Sequence, residues 1–200
     1  MTDEEYFNFI QSYDDARQML LTRLDVLNHT LYTEYSNHPI HNIQSRLKKK
    51  KSLEDKLRRK KKEPTMSNAK DCIQDIAGIR VICYFIEDVY NILRILKRQK
   101  DLIVIKERDY ISSPKSNGYR SYHIIMGVPV YCLDGMEYFP VEIQLRTLSM
   151  DFWASMEHRI SYKKKRCDEE SIIKELKDYA DVLAVIEKRF EQYNDVGTIQ

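Results

Sequence analysis

A loop offering Lys115, Asn117 and Gly118 runs directly into Tyr119-Arg120-Ser121-Tyr122-His123, and these residue types at this spacing could hold a nucleotide. Gly118 allows the tight backbone such a loop needs. Beyond it, the two-residue period of a strand puts Tyr119, Ser121 and His123 on one face. A flat ring can stack on a base while Lys115 and its neighbours hold phosphate. The plainer reading is a hairpin loop with a polar strand face. A second strand favours the ligand. In the run 141–147, Val-Glu-Ile-Gln-Leu-Arg-Thr, the residues Val141, Ile143 and Leu145 point one way and Glu142, Gln144 and Arg146 the other.

Residues 3–35 read as a helix with Tyr6, Ile10, Tyr13, Leu20, Leu24, Leu27 and Leu31 along one side. Pro39 interrupts, and a short helix is expected from about Ser67. A buried strand over 79–85, an amphipathic helix over 88–100 and strands over 102–109, 121–131 and 138–146 follow. The last two strands are joined by a turn at Asp134-Gly135. A further helix begins near Ser149 with Phe152, Trp153, Met156 and Ile160. The tail from Asp168 carries Ile172, Leu176, Tyr179, Leu183, Ile186 and Phe190 at heptad-like spacing, a seam that serves either the fold or a second copy of the chain. With no internal repeat, the pattern predicts one α/β (α+β) domain over 1–200, its motifs within 40–165 and a helical tail over 168–198.

Hydrophobic residues at 42% and charged residues at 32% fit a folded, soluble protein. No apolar run reaches membrane-span length and the acidic start is not a signal sequence, so no membrane partner is expected. Cys72, Cys83, Cys132 and Cys167 lack C-x-x-C spacing, which points to a reduced cytoplasmic compartment without a zinc site. The net charge of +2 conceals an asymmetry: residues 46–62 carry +9 and the rest −7. Leu47, Leu53 and Leu57 give this run a folded side, and Ser52 sits where it could cap a helix starting at Leu53. A short basic helix with phosphate as its partner is expected.

Three motifs now stand in order: Asp75-Ile-Ala-Gly-Ile-Arg80-Val, Asp109-Tyr-Ile through Lys115 and Tyr119 to His123, and Val-Glu142-Ile-Gln144-Leu-Arg146-Thr. With Arg46, Lys48, Ser52 and Lys56 as a fourth, they resemble the pyrophosphokinase (synthetase) domain of RelA/SpoT-type alarmone enzymes over about residues 40–165. None of the five histidines is followed by Asp, so the His-Asp pair of the family's hydrolase domain has no counterpart. The chain therefore resembles the small, single-domain alarmone synthetases. The resemblance implies a mixed sheet of about five strands flanked by helices, similar to nucleotidyltransferases. It implies transfer of the β,γ-pyrophosphate of ATP to the ribose 3′-hydroxyl of GDP or GTP, giving ppGpp or pppGpp and AMP.

The roles implied are residue by residue. Asp75 would hold Mg²⁺, a hard cation suited to carboxylates, and Glu142 would touch the metal, accept the hydroxyl proton, or do both. Arg46 and Arg80 resemble the pair that sandwiches adenine, and Lys48, Ser52, Lys56 and Arg59 would hold the ATP phosphates. Tyr119 would stack on guanine. Lys115 and His123 would meet the acceptor's phosphates, and Gln144 and Asp151 its ribose and base. Lys49 to Lys51 and Lys60 to Lys62 read first as solvated charge. Some tetrameric relatives are activated by their own product, in a cleft that here offers Leu21, Asp25, Asn42 and Gln44 instead of basic and aromatic residues. Weak product activation and a homo-oligomer, a homotetramer by resemblance, are expected. Two rival readings remain: the same chemistry on tRNA 3′ ends or adenosine nucleotides, and a regulator binding single-stranded RNA through the +9 run with a vestigial site.

Overall fold

The computed structural model describes residues 1–35, 38–161 and 169–196. Cys167 and the two ends of the expected tail, residue 168 and residues 197–198, lie outside them.

The chain opens with a 33-residue helix, α1 (Asp3–Tyr35). Thr2 and Glu5 cap it reciprocally: Thr2 Oγ1 accepts from the Glu5 N–H and the Glu5 carboxylate accepts from the Thr2 N–H. Ile10, Tyr13, Ala16, Leu20 and Leu24 form its buried stripe. Strand β1 (Ile40–Leu47) leads to helix α2 (Lys50–Arg59), which Leu53 and Leu57 pin to the body, each fully buried. After α3 (Met66–Cys72), capped by Thr65, comes β2 (Ala77–Cys83), then α4 (Ile86–Arg98) and β3 (Ile103–Asp109). A two-residue turn joins β4 (Tyr122–Cys132) to β5 (Gly135–Thr147), and Gly135, at φ +125°, supplies the backbone geometry. Helices α5 (Leu148–Ser161) and α6 (Glu169–Val196) follow.

The five strands form one mixed sheet in the order β1-β2-β5-β4-β3. Only the central pair β2–β5 is parallel, and α4, β3 and β4 lie in the chain between them. Helices α1 and α4 pack on the sheet, where Ile79, Val81, Ile124, Met126, Val141, Ile143 and Leu145 are buried. Alternate residues on the central strands are Arg80, His123, Glu142, Gln144 and Arg146, so the opposite face is polar.

Two readings of the sequence change here. β1 was not anticipated, and it places Arg46 on an edge strand rather than on the basic helix. Ser52 is not a cap. Helix α2 starts at Lys50, and its N-cap residue, Lys49, makes no side-chain capping bond.

Candidate active site

Strand register alone lines up two rows across the polar face. Arg46 stands opposite Gly78, Gly78 opposite Glu142, Glu142 opposite Ile125, and Ile125 opposite Lys106. One step along each strand, Gln44, Arg80, Gln144, His123 and Arg108 form the second row. A cavity of about 440 Å³ lies over the β1 end, lined by Gln44, Arg46, Gly78, Arg80, Glu142 and Gln144. A second, of about 400 Å³, is lined by Arg80, Tyr119, Arg146, Ala154 and Glu157. Arg80 and His158 line both. Each cavity is large enough for a nucleotide. A smaller one, about 160 Å³, brings Lys106 and Arg108 to Glu142 and His123.

Asp75 lies just before β2, beside α2. Its Oδ2 meets Lys56 Nζ at 2.7 Å and Lys48 Nζ at 3.1 Å, and Lys48 is itself buried. Burial alone would raise the Asp75 carboxyl, but the two ammonium groups outweigh it and hold it below the usual range. The other oxygen, Oδ1, is buried and makes no hydrogen bond. Ser52, Lys56 and Arg59 recur at helical spacing along α2, away from the buried leucines. Arg80 donates to Gln44 Oε1 at 3.3 Å and pairs with Asp151 at 3.3 Å, while its buried Nε has no partner.

The Tyr119 side is saturated by comparison. Arg146, 5% exposed, donates to the Tyr119 hydroxyl at 2.7 Å, Gln144 Oε1 at 3.1 Å, Asp151 Oδ1 at 3.2 Å and Ser121 Oγ at 3.4 Å. The Tyr119 hydroxyl also shares a hydrogen bond with His123 Nε2, 2.8 Å away. His123 Nδ1 lies 3.8 Å from Glu142 Oε1 on the other side of the ring. A polar chain thus runs from Arg146 to Glu142, whose other oxygen accepts from Gln144 Nε2 at 3.2 Å. Burial, with Arg146, Lys115 and Arg108 nearby, lowers the His123 pKa to about 4. The ring is neutral near pH 7 and meets any phosphate as a hydrogen-bond donor rather than a cation. Lys115 Nζ stands 4.7 Å from the Tyr119 ring centre and 4.9 Å from that of Tyr110. Gly118, at φ +91°, closes the loop with its N–H on the Lys115 carbonyl.

The expected residues therefore fall into three groups. Arg46, Arg80, Glu142 and Gln144 share one cavity, and Lys115, Tyr119, His123, Gln144 and Asp151 gather around Arg146. Asp75, Lys48 and Lys56 form a separate cluster by α2. Among the described residues, no group of three or more His, Cys, Asp or Glu could hold a metal by itself. Sequence reasoning gave no role to Arg146, Lys106, Arg108 or Tyr110. The alternation 142–144–146 already placed Arg146 in the polar row, whereas Lys106 and Arg108 needed the β3–β4 register and Tyr110 its ring contacts with Tyr119 and His123.

Two adjoining nucleotide-sized cavities that share a polar wall define a group-transfer class of site. Residues 45–167 match the family described as the region found in RelA/SpoT proteins. The chain is 39% identical over 186 residues to the GTP pyrophosphokinase YwaC of Bacillus subtilis, covering 93% of this chain and 89% of that one. Its fold is similar to that of small alarmone synthetase 1 from Bacillus subtilis bound to its product pppGpp. The TM-score is 0.85 at 30% identity, covering 96% and 98% of the two chains. Small alarmone synthetase 2 from the same organism gives 0.82 at 38% identity, again covering 96% and 98%. The chain belongs to the RelA/SpoT family, among its small alarmone synthetases.

Proposed function

We propose that the chain is a GTP pyrophosphokinase that moves the β,γ-pyrophosphate of ATP to the ribose 3′-hydroxyl of GDP or GTP, releasing AMP and forming ppGpp or pppGpp. The observation that carries this reading is the pair of cavities meeting at Arg80 beside Glu142 and Gln144. In-line transfer needs two nucleotides held end to end and a group that takes the hydroxyl proton.

ATP enters the 440 Å³ cavity with adenine between Arg46 and Arg80, guanidinium planes suited to stacking. Its phosphates turn toward Lys48, Ser52, Lys56 and Arg59. The guanine nucleotide enters the 400 Å³ cavity against Tyr119. Gln144 and Asp151 take its ribose and base, and Lys115 and His123 its phosphates. Glu142 accepts the 3′-hydroxyl proton. Asp75 from the α2 cluster and Glu142 from the cavity wall would be the carboxylates for a divalent cation, taken to be Mg²⁺. The unpartnered Oδ1 of Asp75 fits such a ligand, because Mg²⁺ takes one or two carboxylates and fills its remaining positions with water and phosphate. The cation would offset phosphate charge. An assay with γ-labelled ATP and Mg²⁺, offering GDP, GTP, GMP, ATP and tRNA separately, should label GDP and GTP. Label on tRNA alone would favour the rival acceptor.

The working unit is one catalytic domain acting in the cytoplasm; among the described residues no helix is long and apolar enough to cross a membrane. A homotetramer is proposed with it. The expected α6 seam divides in two: Leu176 is buried and Ile172 and Leu183 pack beside it, whereas Tyr179, Ile186 and Phe190, with Val182, are exposed. This outer stripe is what a second copy would cover, and Ile186→Asp with Phe190→Asp should reduce particle mass in light scattering. Exposed basic residues of α2 leave room for single-stranded RNA or tRNA as an additional partner. Product activation is expected to be weak, because Gln44 is engaged with Arg80 and Leu21 packs against the core.

A further inference from the structure

Helix α6 begins at Glu169, beyond residue 167 where the family match ends, yet it grips the acceptor half of the site at both ends. A Cβ on Gly118 would lie 2.8 Å from Ala180 Cβ and 2.9 Å from Lys177 Cα, so helix and loop are in direct backbone contact. Two residues on, Arg120 donates to the Ala180 carbonyl at 2.8 Å and pairs with Asp181 at 2.8 Å. Trp153 Nε1 donates to the Leu176 carbonyl at 2.6 Å. Farther along, the buried Glu187 accepts from Thr147 Oγ1 at 2.7 Å and from the Ser149 hydroxyl. Thr147 directly follows Arg146, and Gly118 directly precedes Tyr119. These bonds hold the two chain segments that the Arg146–Tyr119 hydrogen bond must bring together.

We propose that Asp181 and Glu187 are positioning residues for the guanine-nucleotide acceptor: through Arg120 and through Thr147 and Ser149 they set Tyr119 and Arg146 in binding geometry. Neither touches substrate. The inference rests on the acceptor reading given under the proposed function. A cavity of about 60 Å³ lies along this seam, lined by Gly118, Arg120, Trp153, Ala184 and Glu187, next to the apolar contact of Trp153, Leu176 and Ala180. Glu187 Oε1, buried without a hydrogen-bond partner, belongs to the same seam. Loss of one latch should therefore let the loop and the strand end drift apart while β1, β2 and α2 keep the donor half intact.

The test measures initial rates of the full chain with GDP varied at saturating ATP, and then the reverse. Asp181→Ala and Glu187→Ala should each raise the GDP KM several-fold and leave the ATP KM unchanged. Glu187→Gln keeps an acceptor oxygen for the hydroxyls and should restore most of the loss. Trp153, the single tryptophan of the chain, gives a readout independent of activity: its emission should shift to the red in Glu187→Ala and stay put in Glu187→Gln. Asp181 is half exposed, so its variant tests the proposal even where Glu187→Ala folds poorly. The proposal is overturned by an unchanged GDP KM, by both KM values rising together, or by a lower melting temperature with neither KM moved. A wild type that makes no product from GDP or GTP removes the acceptor reading and this inference with it. That result differs visibly from variants that stay normal in an active wild type.

Discussion

The donor and acceptor halves share one sheet face but are built by opposite means. On the donor side, β1, β2 and α2 place the side chains and then leave them underused: Asp75 Oδ1 and Arg80 Nε are buried without partners. On the acceptor side, Arg146 saturates Tyr119, Ser121, Gln144 and Asp151, and α6 locks the surrounding loop. Spare polar valence suits a phosphate-and-cation ligand that arrives with charge of its own. A closed network suits a flat, weakly charged base, which needs a wall already in place.

The most severe break should come where the halves meet. Glu142→Gln keeps shape and hydrogen-bonding capacity but removes the charge. Turnover should fall by about 10²–10⁴-fold, the range of general-base contributions, with both nucleotides still bound. An unaltered melting curve beside the lost activity separates this from a structural role. Asp75→Asn should instead raise the divalent-metal concentration needed for half-maximal rate.

Arg146→Ala tests whether the acceptor half is one network. Removing a buried charge from its partners costs about 3–5 kcal/mol, so the melting temperature should drop with acceptor binding. Arg46→Ala, on the half-open donor side, should weaken ATP binding with little change in melting. Equal thermal losses in the two variants would erase the contrast between the halves.

How much of this was legible beforehand follows the same division. The alternating strand 141–147 and the helix at 3–35 could be read because each buries one regular face. β1 could not: its burial runs buried, exposed, exposed, half-buried, and a bulge between Ile40 and Asn42 breaks the alternation of an edge strand. The Lys-rich run showed its leucine side but not its start, because Ser52 has a good capping side chain and the helix begins at Lys50, three residues before the expected Leu53, without one. Glu142 and Tyr119 stood out by local pattern. The Arg146–Tyr119 bond, 27 positions apart, and the Arg120–Asp181 latch, 61 apart, depend on distant residues meeting in space, which no local period encodes.

A smaller effect is expected from Tyr119→Ala. Base stacking is worth about 1–3 kcal/mol, so the acceptor KM should rise while the ATP KM holds. Because Tyr119 also links Arg146 to His123, Tyr119→Phe sharpens the test: it keeps the ring and removes the hydroxyl. A KM near wild type for Phe and a raised one for Ala would assign the effect to stacking. Equal losses would assign it to the network.

The mildest prediction concerns pH, and it also separates the halves. His123 titrates near 6.5 when unfolded and near 4 when folded, first because it is buried and then because Arg146, Lys115 and Arg108 surround it. Between those values the unfolded chain binds the extra proton. The His123 contribution is therefore complete above about pH 6.5 and is lost as pH falls toward 4. Asp88, in the first turn of α4, runs the other way. Burial raises it to about 6, so its contribution is present at low pH and lost as pH rises from its unfolded value of 3.8 through 6. The two oppose each other across much of one window. His123→Gln removes one side of the balance. The wild-type advantage over this variant should shrink steadily from about pH 6.5 to about pH 4.5. Melting curves that stay parallel across that range would mean that the imidazole is not held neutral by the acceptor network.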